Sequence, residues 1–126
     1  MDVSPRDMAL HAARRMYDKG AEQLQVLHVP DENQLYDYVV IGAGRSERQT
    51  RTLVDEVYHF CKRHDIPHGP VEGAAGWYVI DCYNVVVHGF TPELLDYYEL
   101  AKRWPQARPV QYEALWAAVP DPDRAV

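Results

Sequence analysis

Cysteine is scarce in this chain: only Cys61 and Cys82 are present, without paired spacing. A secreted domain of this size more often carries a larger disulfide set, so reduced thiols in a cytosolic protein are expected. No apolar run approaches the roughly 20 residues a membrane span needs. The start, Met1-Asp2-Val3-Ser4-Pro5, lacks the charged-then-apolar pattern of a secretory signal, and no Arg-rich transit segment is visible. The expectation is a soluble protein of the bacterial cytoplasm, with a processed protein of the mitochondrial or plastid matrix as the alternative. Basic charge is short as well, with 13 Lys and Arg against 19 Asp and Glu, a net charge of -6 and a pI near 5.4. Proteins that grip a phosphate backbone do so through clustered cations that release counterions, so DNA and direct RNA binding are disfavoured. An acidic surface suits a basic protein partner instead.

What is present describes one domain. A chain of 126 residues with 47% apolar and 25% charged residues has the composition of an ordinary globular protein and the length for a single core. Ser4-Pro5-Arg6-Asp7 reads as a helix start, with Ser4 as the cap and Pro5 at the first helical position. Met8, Ala9, Ala12, Ala13, Met16 and Tyr17 then share one side, and Gly20 closes the helix. Leu24 to Val29 and Tyr36 to Ile41 read as strands, the second apolar enough to be covered on both faces. Gly42-Ala43-Gly44-Arg45 leaves that strand, and Ser46 with Gln49 has capping-box spacing. The helix after it carries Leu53, Val57, Phe60, Cys61 and His64 along one stripe until Pro67 stops it.

A glycine-rich connector from His68 to Gly76 leads to two strands, Trp77 to Asp81 and Val85 to Gly89, whose spacing predicts a hairpin. Thr91-Pro92-Glu93 starts a last helix, with Leu94, Tyr97, Tyr98, Ala101 and Trp104 on one side. The order of elements predicts an α/β domain with a mixed sheet of four to five strands flanked by helices. Residues 1–104 form the domain in this reading. Residues 105–126, with prolines at 105, 109, 120 and 122, form a Pro-rich tail that is partly ordered at most.

Several fragments invite an enzymatic reading. Gly42 to Ser46 follows a strand and opens a helix, the arrangement of an anion site. Glu47, however, stands where a dinucleotide fingerprint has its third glycine, and no second βαβ half follows. The loop also resembles that of nucleotidyltransferases, whose metal ions need converging carboxylates. Asp55 and Glu56 are adjacent on a helix and point apart, and Asp81 is a single strand acid. His64 and His68 are four apart, but Pro67 breaks the helical geometry of a metal pair. His88 ends a valine run and reads as a buried histidine bonded to backbone. The aromatics Trp77, Tyr78, Tyr83, Tyr97, Tyr98 and Trp104 crowd the last third, more than a small core absorbs. A surface patch around Trp77 is therefore the leading functional feature, since aromatics make good interface anchors.

In order, Asp18-Lys19, Asp37-Tyr38-Val39-Val40-Ile41, Gly44-Arg45-Ser46-Glu47-Arg48-Gln49, Val71-Glu72-Gly73, Trp77, Asp81, Val85-Val86-Val87-His88, Tyr98, Leu100 and Trp104 resemble the ribosomal silencing factor (Iojap) family. The resemblance covers about Asp18 to Trp104. It implies a nucleotidyltransferase-like topology without the catalytic acids. It also implies binding to protein fourteen of the large ribosomal subunit, steric exclusion of the small subunit, repression of translation, and neither catalysis nor cofactor. A homodimer of the free protein is left open. The contact surface carried over by resemblance is Trp77, Ile80, Asp81 and Tyr98. Cys82, Tyr83 and Asn84 depart from the family's usual tyrosine or leucine, glycine and aspartate, and Leu95, Ala101 and Arg103 depart in the last helix. The alternative reading is a nucleotidyltransferase-like enzyme or nucleotide-binding module that uses the Gly42 to Ser46 loop.

Overall fold

The structure is a computed structural model, and it describes residues 1–30, 36–94 and 103–124. Helix α1 spans Pro5–Asp18, with the Ser4 hydroxyl accepting the Asp7 N–H at 3.1 Å. Its end is a Schellman motif. Gly20, at φ +86°, donates its N–H to the Tyr17 carbonyl, and the next N–H, that of Ala21, reaches the Met16 carbonyl. Strand β1 is Glu22–His28 and β2 is Tyr38–Ala43. Helix α2, Glu47–Arg63, is capped by Ser46, whose hydroxyl accepts the Gln49 N–H at 3.1 Å. The Gln49 side chain returns the bond to the Arg45 N–H at 2.8 Å. Strands β3 (Glu72–Ala74), β4 (Trp77–Asp81), β5 (Val85–Phe90) and β6 (Arg108–Pro109) follow, then helix α3 (Tyr112–Trp116) and a 3-10 turn at Pro122–Arg124.

These strands make one sheet in the order β3-β4-β5-β2-β1-β6. Only β2 and β5 run parallel, joined by the long crossover through α2; every other pair is antiparallel. The α/β class with a mixed sheet is as expected, and among the described residues six strands replace the expected four to five. The two extra strands are short and exposed edges, Glu-Gly-Ala and Arg-Pro, and carry no alternating apolar pattern that would mark them.

Alternation along the strands divides the interior. On one face Val26, Val40, Tyr78, Ile80, Val85 and Val87 meet α1 and α2 through Met8, Ala12, Met16, Leu53, Val57 and Phe60. On the other, Leu27, Val39, Ile41, Ala43 and Phe90 gather under Trp104, with Trp77 and Leu94 at the margin. Tyr17 is not part of the core: it is 56% exposed and packs edge-on against Trp116. Cys61 and Cys82 are buried as free thiols, their sulfurs 3.8 Å apart.

The segment after Trp104 is tied down by specific bonds. Val110 donates to the Val26 carbonyl as β6 pairs with β1, and the Trp116 indole N–H reaches the Leu10 carbonyl at 3.0 Å. Arg15, 5% exposed, bridges Asp121 and Asp123 at 2.7 Å each. Asp123 also takes Arg63 at 2.7 Å and His64 at 2.6 Å, so the end of the chain locks the last turns of α1 and α2 together.

Candidate functional site

Trp77, Val79 and Asp81 of β4 alternate onto the face of the sheet opposite α1 and α2. Trp77 is half-buried there. Its indole lies 4.9 Å from the Phe90 ring, its Nε1–H donates to His88 Nδ1 at 3.3 Å, and the Arg103 guanidinium stands 5.2 Å over the ring. Val79 follows two residues on, half-buried, and Asp81 two further, exposed. Beside them β3 sets Ala74 opposite Trp77 and Glu72 opposite Val79. Glu72, Gly73, Ala74, Trp77 and Val79 line a shallow open groove. The surface is thus an aromatic and a valine with acids at its ends, a small apolar patch with a polar rim.

His88 stands beside this row, opposite Val79 on β5. It is 8% exposed, between Trp77, Phe90 and Trp104. Burial, and after it the nearby Arg103 charge, push its pKa down to about 4, so the ring is neutral near pH 7 and Nδ1 accepts from the indole. Its partner is thus a side chain rather than the expected backbone group.

Ile80 is fully buried against the helices. Period-two alternation sets it on the face opposite Trp77, so it supports the strand from inside and Val79 takes the outward place. Asp81 is exposed, as a contact residue requires. Tyr98, with Tyr97, lies outside the described residues. Of the other aromatics, Tyr78 turns inward and donates to Glu47 Oε1 at 2.8 Å, while Trp104 is buried and donates to the Tyr36 hydroxyl at 2.8 Å. Reading along the chain does not place Glu72 and Val79 beside Trp77, although parity with Trp77 marks Val79.

The glycine loop is occupied by its own neighbours. A Cβ on Gly44 would meet the Thr50 N at 2.5 Å, and one on Gly42 the Met16 Cε at 2.6 Å, so these glycines permit helix and strand to approach. Gln49 fills the space further by donating to the Lys19 and Gly20 carbonyls. His64 and His68 diverge, the first toward Asp123 and the second to the Ile66 carbonyl at 2.8 Å. Among the described residues no group of three or more His, Cys, Asp or Glu is placed to hold a metal ion.

The family model described as "Ribosomal silencing factor during starvation" matches residues 2–125. The chain belongs to this family. A ribosomal silencing factor RsfS of Halalkalibacterium halodurans is 30% identical over 115 residues, 90% of this chain and 98% of that protein. The mouse protein named "Mitochondrial assembly of ribosomal large subunit protein 1" is 34% identical over 91 residues, 68% of this chain and 40% of its own length. Among solved structures, a Chromobacterium violaceum protein superposes with a TM-score of 0.77 at 23% identity, covering 86% of this chain and 92% of that one, and this likeness shows the fold. A Bacillus halodurans structure does so with a TM-score of 0.67 at 31% identity, covering 79% and 94%. The family match reaches through the C-terminal segment, in accord with its packing on α1.

Proposed function

We propose that this chain is a ribosomal silencing factor that binds the large ribosomal subunit through its protein fourteen, keeps the small subunit from joining and so represses translation, without catalysis. Membership of the family and the names of its relatives support a ribosomal role. The observation that carries the choice of surface is the outward row of β4: Trp77 anchored on His88, with Val79 next to it and Glu72 and Asp81 at the rim. Such a row suits a basic protein partner, because a central aromatic gives area while rim acids steer and orient the encounter. An interface of about 800 Å² per partner around it is sufficient for specific binding. Exclusion of the small subunit then needs only occupancy of the shared surface.

The test is subunit joining followed on sucrose gradients with purified subunits. Wild-type protein is expected to hold the subunits apart. Trp77→Glu and Val79→Glu are expected to restore joining, the second by placing a charge beside Trp77 and opposite His88 while leaving the indole itself. Inhibition by both variants at wild-type strength would overturn the assignment of this face.

A further inference from the structure

The connection from β4 to β5 is tighter than a tyrosine prefers. Tyr83 sits there at φ +73°, a region that glycine enters freely and a bulky side chain rarely does. Its N–H is held by Asp81 Oδ1 at 3.0 Å, so the turn closes on the Asp81 carboxylate. Its ring contributes little to the interior: at 74% exposed it is the most exposed large hydrophobic side chain among the described residues. Strain held by a side chain that the core does not use points outward, to a contact.

Two further features define that contact. Asp81 extends the row of Trp77 and Val79 along β4, and Tyr83 follows where the strand ends. Asp81 and Tyr83 border an open groove of about 530 Å³ whose other wall is Pro67, His68 and Gly69. That wall is fixed, since Gly69 donates its N–H to the Asp81 carbonyl at 2.8 Å and His68 Nδ1 bonds the Ile66 carbonyl. The acids of the C-terminal segment, Asp121 and Asp123, each take at least two cationic partners. No Lys, Arg or His among the described residues pairs with Asp81. A carboxylate with no cationic partner among the described residues and an exposed aromatic ring thus share one groove, on a chain of net charge -6.

We infer that this groove receives a cationic side chain, lysine or arginine, from the basic protein on which the Trp77 face docks, with Asp81 taking its charge and the Tyr83 ring lying against it. The inference rests on the docking reading given under Proposed function. A carboxylate and an aromatic face are the two groups that bind such a head most directly. The groove's continuity with the Trp77 row assigns it to the same partner.

The test measures binding of the labelled chain to purified large ribosomal subunits at low and at moderate salt, with thermal melting alongside. Tyr83→Gly relieves the backbone and removes the ring. It is expected to raise the melting temperature by about 4 °C and to weaken binding about tenfold. Asp81→Asn keeps an acceptor oxygen for the Tyr83 N–H and is expected to weaken binding and flatten its salt dependence. Wild-type affinity in Tyr83→Gly together with a wild-type salt slope in Asp81→Asn would overturn the inference while leaving the docking reading intact. Failure of the unaltered chain to bind large subunits would overturn both.

Discussion

The indole N–H of Trp77 donates to Nδ1 of His88 across 3.3 Å, so the outward anchor of β4 is held by a ring that has to be neutral. Protonation of His88 would put a donor where the acceptor is needed.

A pH dependence follows from that bond. Burial first, and the Arg103 charge second, hold His88 at about 4, while a histidine in an unfolded chain titrates near 6.5. Between those values the unfolded chain binds a proton that the folded chain refuses. The stability from His88 is therefore complete above about pH 6.5, declines as pH falls through the window and is gone near pH 4. The loss is on the order of 3 kcal/mol at most. Urea unfolding at several pH values between these limits should show the decline, and His88→Gln should reduce its slope. A residual slope is expected from His11, whose pKa burial also lowers.

The turn between β3 and β4 offers a gain in stability. Ala75 and Gly76 both have positive φ, 55° and 90°, the backbone of a two-residue type I′ hairpin. Alanine enters that region at a cost and asparagine more easily. Ala75→Asn is expected to stabilise the fold by about 0.5 kcal/mol, read as a higher urea midpoint with unchanged slope. A lower midpoint would show that the turn is not limited by Ala75.

The same turn shows what was legible in the sequence and what was not. Helix α2 was readable because Ser46, Gln49 and the Leu53, Val57, Phe60 stripe agree with one another, and β2 because Tyr38 to Ile41 is continuously apolar, as a central strand requires. Strand β3 was hidden because Glu72, Gly73 and Ala74 are all exposed and Ala-Gly is not a recognised hairpin pair. The prolines of residues 105–126 predict a tail that is partly ordered at most. It is held instead by long-range partners, Val110 to Val26, Trp116 to Leu10 and Asp121 to Arg15, which no local pattern announces. On β4 the half-buried place of Trp77 agrees with an aromatic too large for a small core, whereas Ile80, named as a contact by resemblance, is turned inside by its parity with Trp77.

Gly44 gives a steric test of the loop. A methyl group there would stand 2.5 Å from both the N and the Oγ1 of Thr50, with backbone that cannot move aside cheaply. Gly44→Ala is expected to destabilise the fold by about 2 kcal/mol, measured by urea unfolding. An unchanged midpoint would mean that the close approach of β2 and α2 is not what requires glycine.

Asp121 carries the last prediction, because it stands against the most deeply placed charge of the C-terminal clamp. Its side chain is 8% exposed and that of Arg15 5%, so their 2.7 Å pair is shielded from water, and Arg15 also lies 4.7 Å over the Phe60 ring. Removing one member of such a pair leaves the other as a poorly solvated charge. Asp121→Ala is expected to cost about 3 kcal/mol, close to the low end for a broken buried pair because Asp123 still reaches Arg15. Burial raises the Asp121 pKa, and its bonds from Arg15 and the Asp123 N–H outweigh that and lower it; Asp123 behaves alike. Burial raises its pKa, but hydrogen bonds from Arg63 and His64 outweigh that and hold the carboxyl at about 2. Its contribution is present above about pH 4, the unfolded value, and is lost as pH falls toward 2. Asp121→Ala should thus lower the urea midpoint across the neutral range and expose the C-terminal segment to proteolysis. Asp123→Asn should remove a part of the stability that the wild-type chain itself loses in acid. A midpoint unaffected by Asp121→Ala would show that the clamp does not hold the segment to α1.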